Sequence, residues 1–169
     1  MKLAKLSQNH IKYEKDLKLD KVYYRQPDGY SCGATCIKIA SLIYNTPQFN
    51  IEDIKEICKT NPNTGTIETG IIAGLHKLNL PFQRTNDLIF NIEQDEIYLD
   101  SILNNGFIYI MRTLLYNIKH WIVLYDKVET DYYLCLDPMA GVVSYHKDFI
   151  LKAHELREFD GFTILKRKK

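Results

Sequence analysis

No stretch of the chain is apolar for long enough to cross a membrane; runs such as Trp121 to Tyr125 stop far short of the ~20 residues a spanning helix needs. Met1 to His10 starts with positive charge but has no apolar run behind it, so no signal peptide is expected. Cysteine is scarce: four, at 32, 36, 58 and 135, have neither the density nor the pairing of a secreted disulfide scaffold, so a reducing cytoplasm is the expected compartment. The single close pair is Cys-x₃-Cys, with no second pair and no His-x₃-His after it, which argues against structural zinc; nothing implies a cofactor. Charge of one sign is lacking too, with 22 basic against 21 acidic residues, so the total charge gives no reason to expect a nucleic-acid partner. There is no internal repeat, low-complexity tract or interdomain linker. At 169 residues the chain suits one domain with a real core, read as 21–169 with 1–20 as an N-terminal arm.

What is present divides near Gly106. Before it, hydrophobic residues recur at helical spacing; after it they alternate or run together as in strands. Residues 1–20 are polar and expected to be loosely held or partly helical, and Val22 to Tyr24 a short strand or extended arm. Helices are predicted from Cys32 to about Tyr44, from Asn50 to the Asn61–Gly65 turn, from about Thr66 to Asn79, and from Gln94 to Leu103. Strands are predicted at 107–111, 120–127, 132–137 and 142–145, followed by a helix at 147–156 and a closing strand at 162–165. Helices first and strands afterwards mark the α+β class. The basic ends, Lys2 to Lys21 and Lys166 to Lys169, read as solvated tails.

One stretch carries chemistry. Pro27-Asp28-Gly29 makes a turn, Ser31 stands as an N-cap, and Cys36, Ile39, Ala40 and Ile43 form the stripe of the helix that follows. Cys32 therefore lies in a first helical turn, where unpaired N–H groups and the helix dipole favour the reactive thiolate. Gly33 beside it leaves room for a substrate backbone. Against this stands the ordinary use of helix cysteines as small core hydrophobes, so a partner histidine has to be found.

His120 supplies it, at the mouth of one predicted strand, while Asp137 ends the next. Glu129-Thr130-Asp131 makes a short hairpin loop, and a hairpin centred near Val128-Glu129 sets the two directly opposite on one face, with Cβ atoms within ~5.5 Å. A carboxylate there orients an imidazole and stabilises its charge; the competing reading is a structural His–Asp pair. His10, His76, His146 and His154 have no such setting and read as surface residues.

These residues together resemble the bacteriocin-processing, double-glycine-leader peptidases, a papain-like family often fused to export transporters. The likeness covers roughly residues 20–165 and includes Gly65-Thr66, Gly74-Leu75 and Leu78-Asn79-Leu80 in the middle helix. It implies Cys32 as nucleophile, His120 as base, Asp137 as the orienting carboxylate and Gln26 as the oxyanion-hole glutamine. Ser31 stands where transporter-linked members usually carry aspartate, which is nearer the stand-alone relatives. The implied fold is a helical lobe, carrying the nucleophile helix, packed on a twisted antiparallel sheet. The implied activity is peptide hydrolysis with a peptide or protein substrate, and an export transporter or an immunity protein as possible partner. Three other readings use the same residues: an acyltransferase or deamidase, the effector domain of a bacterial antagonism toxin delivered to another cell, and an inactive peptide-binding domain.

Overall fold

The switch in periodicity near Gly106 is a switch in architecture. The computed structural model describes residues 11–13, 17–85, 92–115, 118–155 and 161–168. The N-terminal part holds β1 (Ile11–Tyr13), α1 (Leu17–Asp20), α2 (Cys32–Ile43), α3 (Ile51–Ile57), α4 (Glu68–Lys77), β2 (Phe82–Arg84) and α5 (Ile92–Asn104). Then follow β3 (Ile108–Leu115), β4 (Ile118–Glu129), β5 (Tyr132–Asp137), β6 (Gly141–His146), α6 (Lys147–Glu155) and β7 (Gly161–Ile164). Among the described residues the strands form one antiparallel sheet of seven in the order β1-β6-β5-β4-β3-β7-β2.

Two edge strands escape the sequence pattern. β1 lies in the segment expected to be loose or helical, and pairs Ile11 with Tyr145 and Tyr13 with Val143. β2 pairs Phe82 with Ile164. Three residues are too few to show alternation, so only the partner strand makes these visible. Residues 1–10 lie outside the described ones, and Val22 to Tyr24 form no strand.

Both faces of the sheet are covered. Trp121, Val123 and Leu136 belong to a core with Ile37, Ile39 and Ala40 of α2, Ile54 of α3 and Ile71 and Leu75 of α4. Their neighbours Ile122, Leu124 and Cys135 point the other way, into a core with Leu99 and Leu103 of α5 and Ile150 and Leu151 of α6. That is why β4 is apolar at consecutive positions instead of alternating. Burying one such Ile or Leu is worth ~1.5–3 kcal/mol, against ~0.5–1.5 for a hydrogen bond, so apolar packing dominates the joining of lobe and sheet.

The three helices of the lobe end in the same way. Asn45, Lys59 and Asn79 adopt left-handed φ of 49°, 52° and 52°, and the next residue donates back to the helix, as Thr46 N does to Ser41 O at 3.1 Å. The α3 helix thus stops at its own cap, ahead of the Asn61–Gly65 turn expected to end it. Of the basic C-terminal residues expected to be a solvated tail, Lys166 and Arg167 are exposed, though Lys166 Nζ reaches Tyr44 O at 3.4 Å; Lys168 is partly buried, 4.0 Å over the Tyr125 ring with its Nζ bonding the Tyr125 carbonyl, and Lys169 lies outside the described residues. Burial lowers the Lys168 pKa accordingly. Among the described residues no helix is long and apolar enough to cross a membrane.

Candidate active site

Cys32 is the first residue of α2 and is 9 % exposed. The expected cap, Ser31, makes no capping hydrogen bond through its side chain. Asp28 fixes the turn ahead of the helix: its Oδ1 accepts from Tyr30 N at 3.0 Å and Ser31 N at 2.8 Å, while Oδ2 pairs with Lys55 Nζ of α3 at 2.9 Å. The acceptor for the first turn of α2 itself comes from farther away. Thr66 Oγ1, which shares a 2.7 Å hydrogen bond with Thr60 Oγ1, accepts from Ala34 N at 3.1 Å. One of the first-turn donors that a helix leaves unpaired is thereby satisfied from outside it.

The same threonine explains Gly33. A Cβ there would lie 2.5 Å from Thr66 Cβ, so the glycine admits the Thr66 side chain, where the sequence suggested room for a substrate. Trp121 completes the joint. Its Nε1 donates to Thr66 O at 2.8 Å, its backbone N donates to Cys32 Sγ at 3.5 Å, and Arg112 lies 5.4 Å over its ring while pairing with Glu68. Sequence reasoning missed both Thr66 and Trp121 as site residues; the adjacency of Trp121 to His120 was the available signal.

His120 and Asp137 meet at 2.7 Å, Nε2 to Oδ1, both buried. They are not directly opposite. Near the site the ladder pairs Val123 with Leu136, and bulges at Leu124/Asp126 and Lys127/Glu129 put extra residues into β4. The turn falls at Thr130-Asp131, inside the expected Glu129–Asp131 loop but beyond a centre at Val128-Glu129. Asp137 and His120 are therefore diagonal neighbours on one face, a spacing of ~7–8 Å that an imidazole and a carboxylate can bridge. An offset of two residues preserves the face; an offset of one would have separated them.

Asp137 is held on every side. Oδ1 also accepts from Met139 N at 2.8 Å and Ala140 N at 3.1 Å, and Oδ2 accepts from Tyr145 Oη at 2.6 Å. Burial alone would raise its pKa, but the His120 bond and charge and the Tyr145 bond outweigh it, and the carboxyl stays below its usual range. His120 responds in kind. Burial works to lower its pKa, yet hydrogen bonds to Asp137 and Cys32 carry it from 6.5 up to about 9. The Cys32 thiol lies next to the imidazole, its Sγ accepting from the backbone N of the adjoining Trp121 at 3.5 Å.

Gln26 sits on the other side of the Asp137 turn, where its backbone N donates to Pro138 O at 3.0 Å. Its side-chain Nε2 donates to Asp28 O at 2.5 Å, and Oε1 is buried without a protein partner among the described residues. One of the two Nε2 hydrogens is thus engaged. The structure brings Cys32, His120 and Asp137 into one constellation and fastens Gln26 beside it through Asp28 and Pro138.

The other histidines stand apart: His76 is exposed on α4, and His146 is half-buried against Tyr132 and Asp148. His10 lies outside the described residues, as does the His154 side chain. Cys36, Cys58 and Cys135 are fully buried free thiols whose pKa values burial pushes up. Among the described residues no group of three His, Cys, Asp or Glu is placed to hold a metal ion.

Neither a protein-family model nor a curated protein matches the sequence. Solved structures do match in shape. The peptidase domain of Streptococcus ComA, a bi-functional ABC transporter involved in quorum sensing, aligns over 85 % of this chain and 98 % of its own, at 19 % identity and a TM-score of 0.59. A double glycine motif protease from an AMS/PCAT transporter, solved in complex with the leader peptide, aligns over 84 % and 90 % at 16 % identity and TM-score 0.61. The Streptococcus mutans ComA peptidase domain aligns over 83 % and 97 % at 16 % identity and TM-score 0.51. At such identities the likeness is one of fold, and the chain has the papain-like α+β fold of these double-glycine peptidase domains.

Proposed function

We propose that the protein is a cysteine peptidase that cleaves peptides after a double-glycine leader. The observation that carries this reading is the His120–Asp137 bond, Nε2 to Oδ1 at 2.7 Å, with the Cys32 thiol placed beside the imidazole on the backbone N of Trp121. In the proposed reaction Cys32 gives its proton to His120 and the sulfur bonds the scissile carbonyl carbon, moving the C=O π pair to oxygen. Gln26 Nε2 and the Cys32 backbone N–H receive that oxyanion. On collapse the C–N bond breaks, the imidazolium protonates the leaving amine, and a thioester remains. Water, losing a proton to His120, attacks the thioester and releases the new carboxylate and the thiol.

The leader part of the reading is supported by the surface near the triad. Ile67 beside Thr66, Ile118 two residues before His120, and Met139 two after Asp137 are 47 %, 68 % and 49 % exposed. An apolar leader has contacts to make there. The α4 stretch around Ile71 to Leu80 offers fewer, since Ile71, Leu75, Leu78 and Leu80 are buried in the core. The reading takes 21–169 as the catalytic domain and 1–20 as an arm, with an export transporter as a partner able to use the cleaved product.

The test is mass spectrometry of a leader peptide carrying Gly-Gly before its cargo, incubated with the protein and with Cys32→Ala. Cleavage after the second glycine with addition of one water, absent from the variant, is the expected result. Loss of ammonia from a glutamine, or amine addition without cleavage, would replace the peptidase by a deamidase or transferase.

A further inference from the structure

One residue touches both halves of the chemistry without being part of it. Asp28 holds Gln26 through its backbone oxygen, which accepts from Gln26 Nε2 at 2.5 Å. Through its carboxylate it holds the entry to the Cys32 helix, accepting from Tyr30 N and Ser31 N at 3.0 and 2.8 Å. The second carboxylate oxygen is taken by Lys55 at 2.9 Å. Lys55 is itself fixed: its Nζ lies 5.0 Å over the Tyr30 ring and 3.3 Å from Glu52 Oε1, and its helix α3 is capped by Asn50, whose side chain accepts from Asp53 N at 2.8 Å. Both members are largely shielded, with side chains 22 % and 13 % exposed.

We propose that Asp28, clamped by Lys55, is the positioning residue of the oxyanion pocket, setting the Gln26 amide against the first turn of the Cys32 helix. This rests on the peptidase reading above. The physical case is that an oxyanion needs two donors at a fixed separation, one on a side chain and one on the backbone, from two segments. Here Asp28 is the covalent midpoint between Gln26 and the helix entry, and it is bonded to both. Fixing one Nε2 hydrogen on the Asp28 carbonyl sets the plane of the amide and so the direction of the other. The Lys55 ammonium holds the carboxylate in place and offsets a negative charge that would otherwise face a thiolate and a developing oxyanion unrelieved.

A pair of probes separates this role from general damage to the site. Iodoacetamide alkylates Cys32 without forming an oxyanion. A peptide aldehyde ending in Gly-Gly forms a thiohemiacetal: sulfur bonds the carbonyl carbon, the π pair moves to oxygen, nothing leaves, and the thiol proton is retained through His120. Asp28→Ala and Lys55→Met should lose roughly tenfold or more in aldehyde affinity, short of the ~10²–10³ that removal of an oxyanion donor costs in kcat. The alkylation rate should remain near that of the wild type, and Lys55→Arg should recover aldehyde binding. Unchanged aldehyde affinity in Asp28→Ala overturns the proposal, as does a parallel fall in alkylation, which marks a structural role. Wild-type protein that is alkylated but does not bind the aldehyde overturns the peptidase reading itself, and the pocket with it.

Discussion

His120 and Asp137 meet across a diagonal of the β4–β5 ladder, Nε2 to Oδ1 at 2.7 Å, and not across a rung. The carboxylate cannot swing to follow the imidazole, because Tyr145 and two backbone N–H groups already hold it. The ring is thus oriented by a fixed acceptor.

Asp137→Asn should keep the fold and lose most of the activity. An amide in this place meets the Tyr145 hydroxyl and the Met139 and Ala140 N–H groups with one acceptor oxygen instead of two, and it no longer stabilises a charged imidazole. A fall of roughly 10²–10⁴ in kcat is expected, the range that a positioned proton-transfer group supplies. Unchanged kcat with an intact thermal transition would mean that another group orients His120.

Cys32 should be the first thiol alkylated in the folded protein at mildly acidic pH. Burial drives the Cys58 thiol up to about 12 and those of Cys36 and Cys135 well above their usual value, and all three are fully buried. Peptide mapping after brief iodoacetamide treatment reads the order. Label at Cys36, Cys58 or Cys135 ahead of Cys32 would remove Cys32 as nucleophile.

His120 should titrate near 9 by NMR, and Asp137→Asn should bring it down. Because its folded pKa exceeds 6.5, the stability it contributes is complete below about 6.5 and is lost as pH rises through about 9. Asp137 has the opposite sign: its depressed pKa contributes stability above the ordinary 3.8, lost as pH falls through the folded value. Cleavage should decline on the alkaline side near 9, where the imidazolium can no longer protonate the leaving amine. A His120 resonance titrating at 6.5 would contradict this.

Gly33→Ala should destabilise by ~1–3 kcal/mol through overpacking, measured as a lower urea midpoint. The obstacle is Thr66 Cβ itself at 2.5 Å, so adding Thr66→Gly should recover part of the loss, while adding Thr66→Ala should not. Equal recovery by both would place the clash elsewhere.

Several features of this protein follow from its sequence alone. The helix that begins at Cys32, the Asn50 cap and the 132–137 strand all rest on neighbours within a few residues. Periodicity and capping are local, so a local window contains them. Only the tertiary structure decided the register of β4 on β5, because two bulges move it and the even offset alone keeps His120 and Asp137 on one face. It decided also that Thr66, and not the Ser31 side chain, satisfies Ala34 N at the start of α2, and that Gly33 makes room for Thr66. That bond joins residues 32 positions apart in the chain, and its partner is selected by how the helices of the lobe pack on one another, which no single stretch of sequence contains.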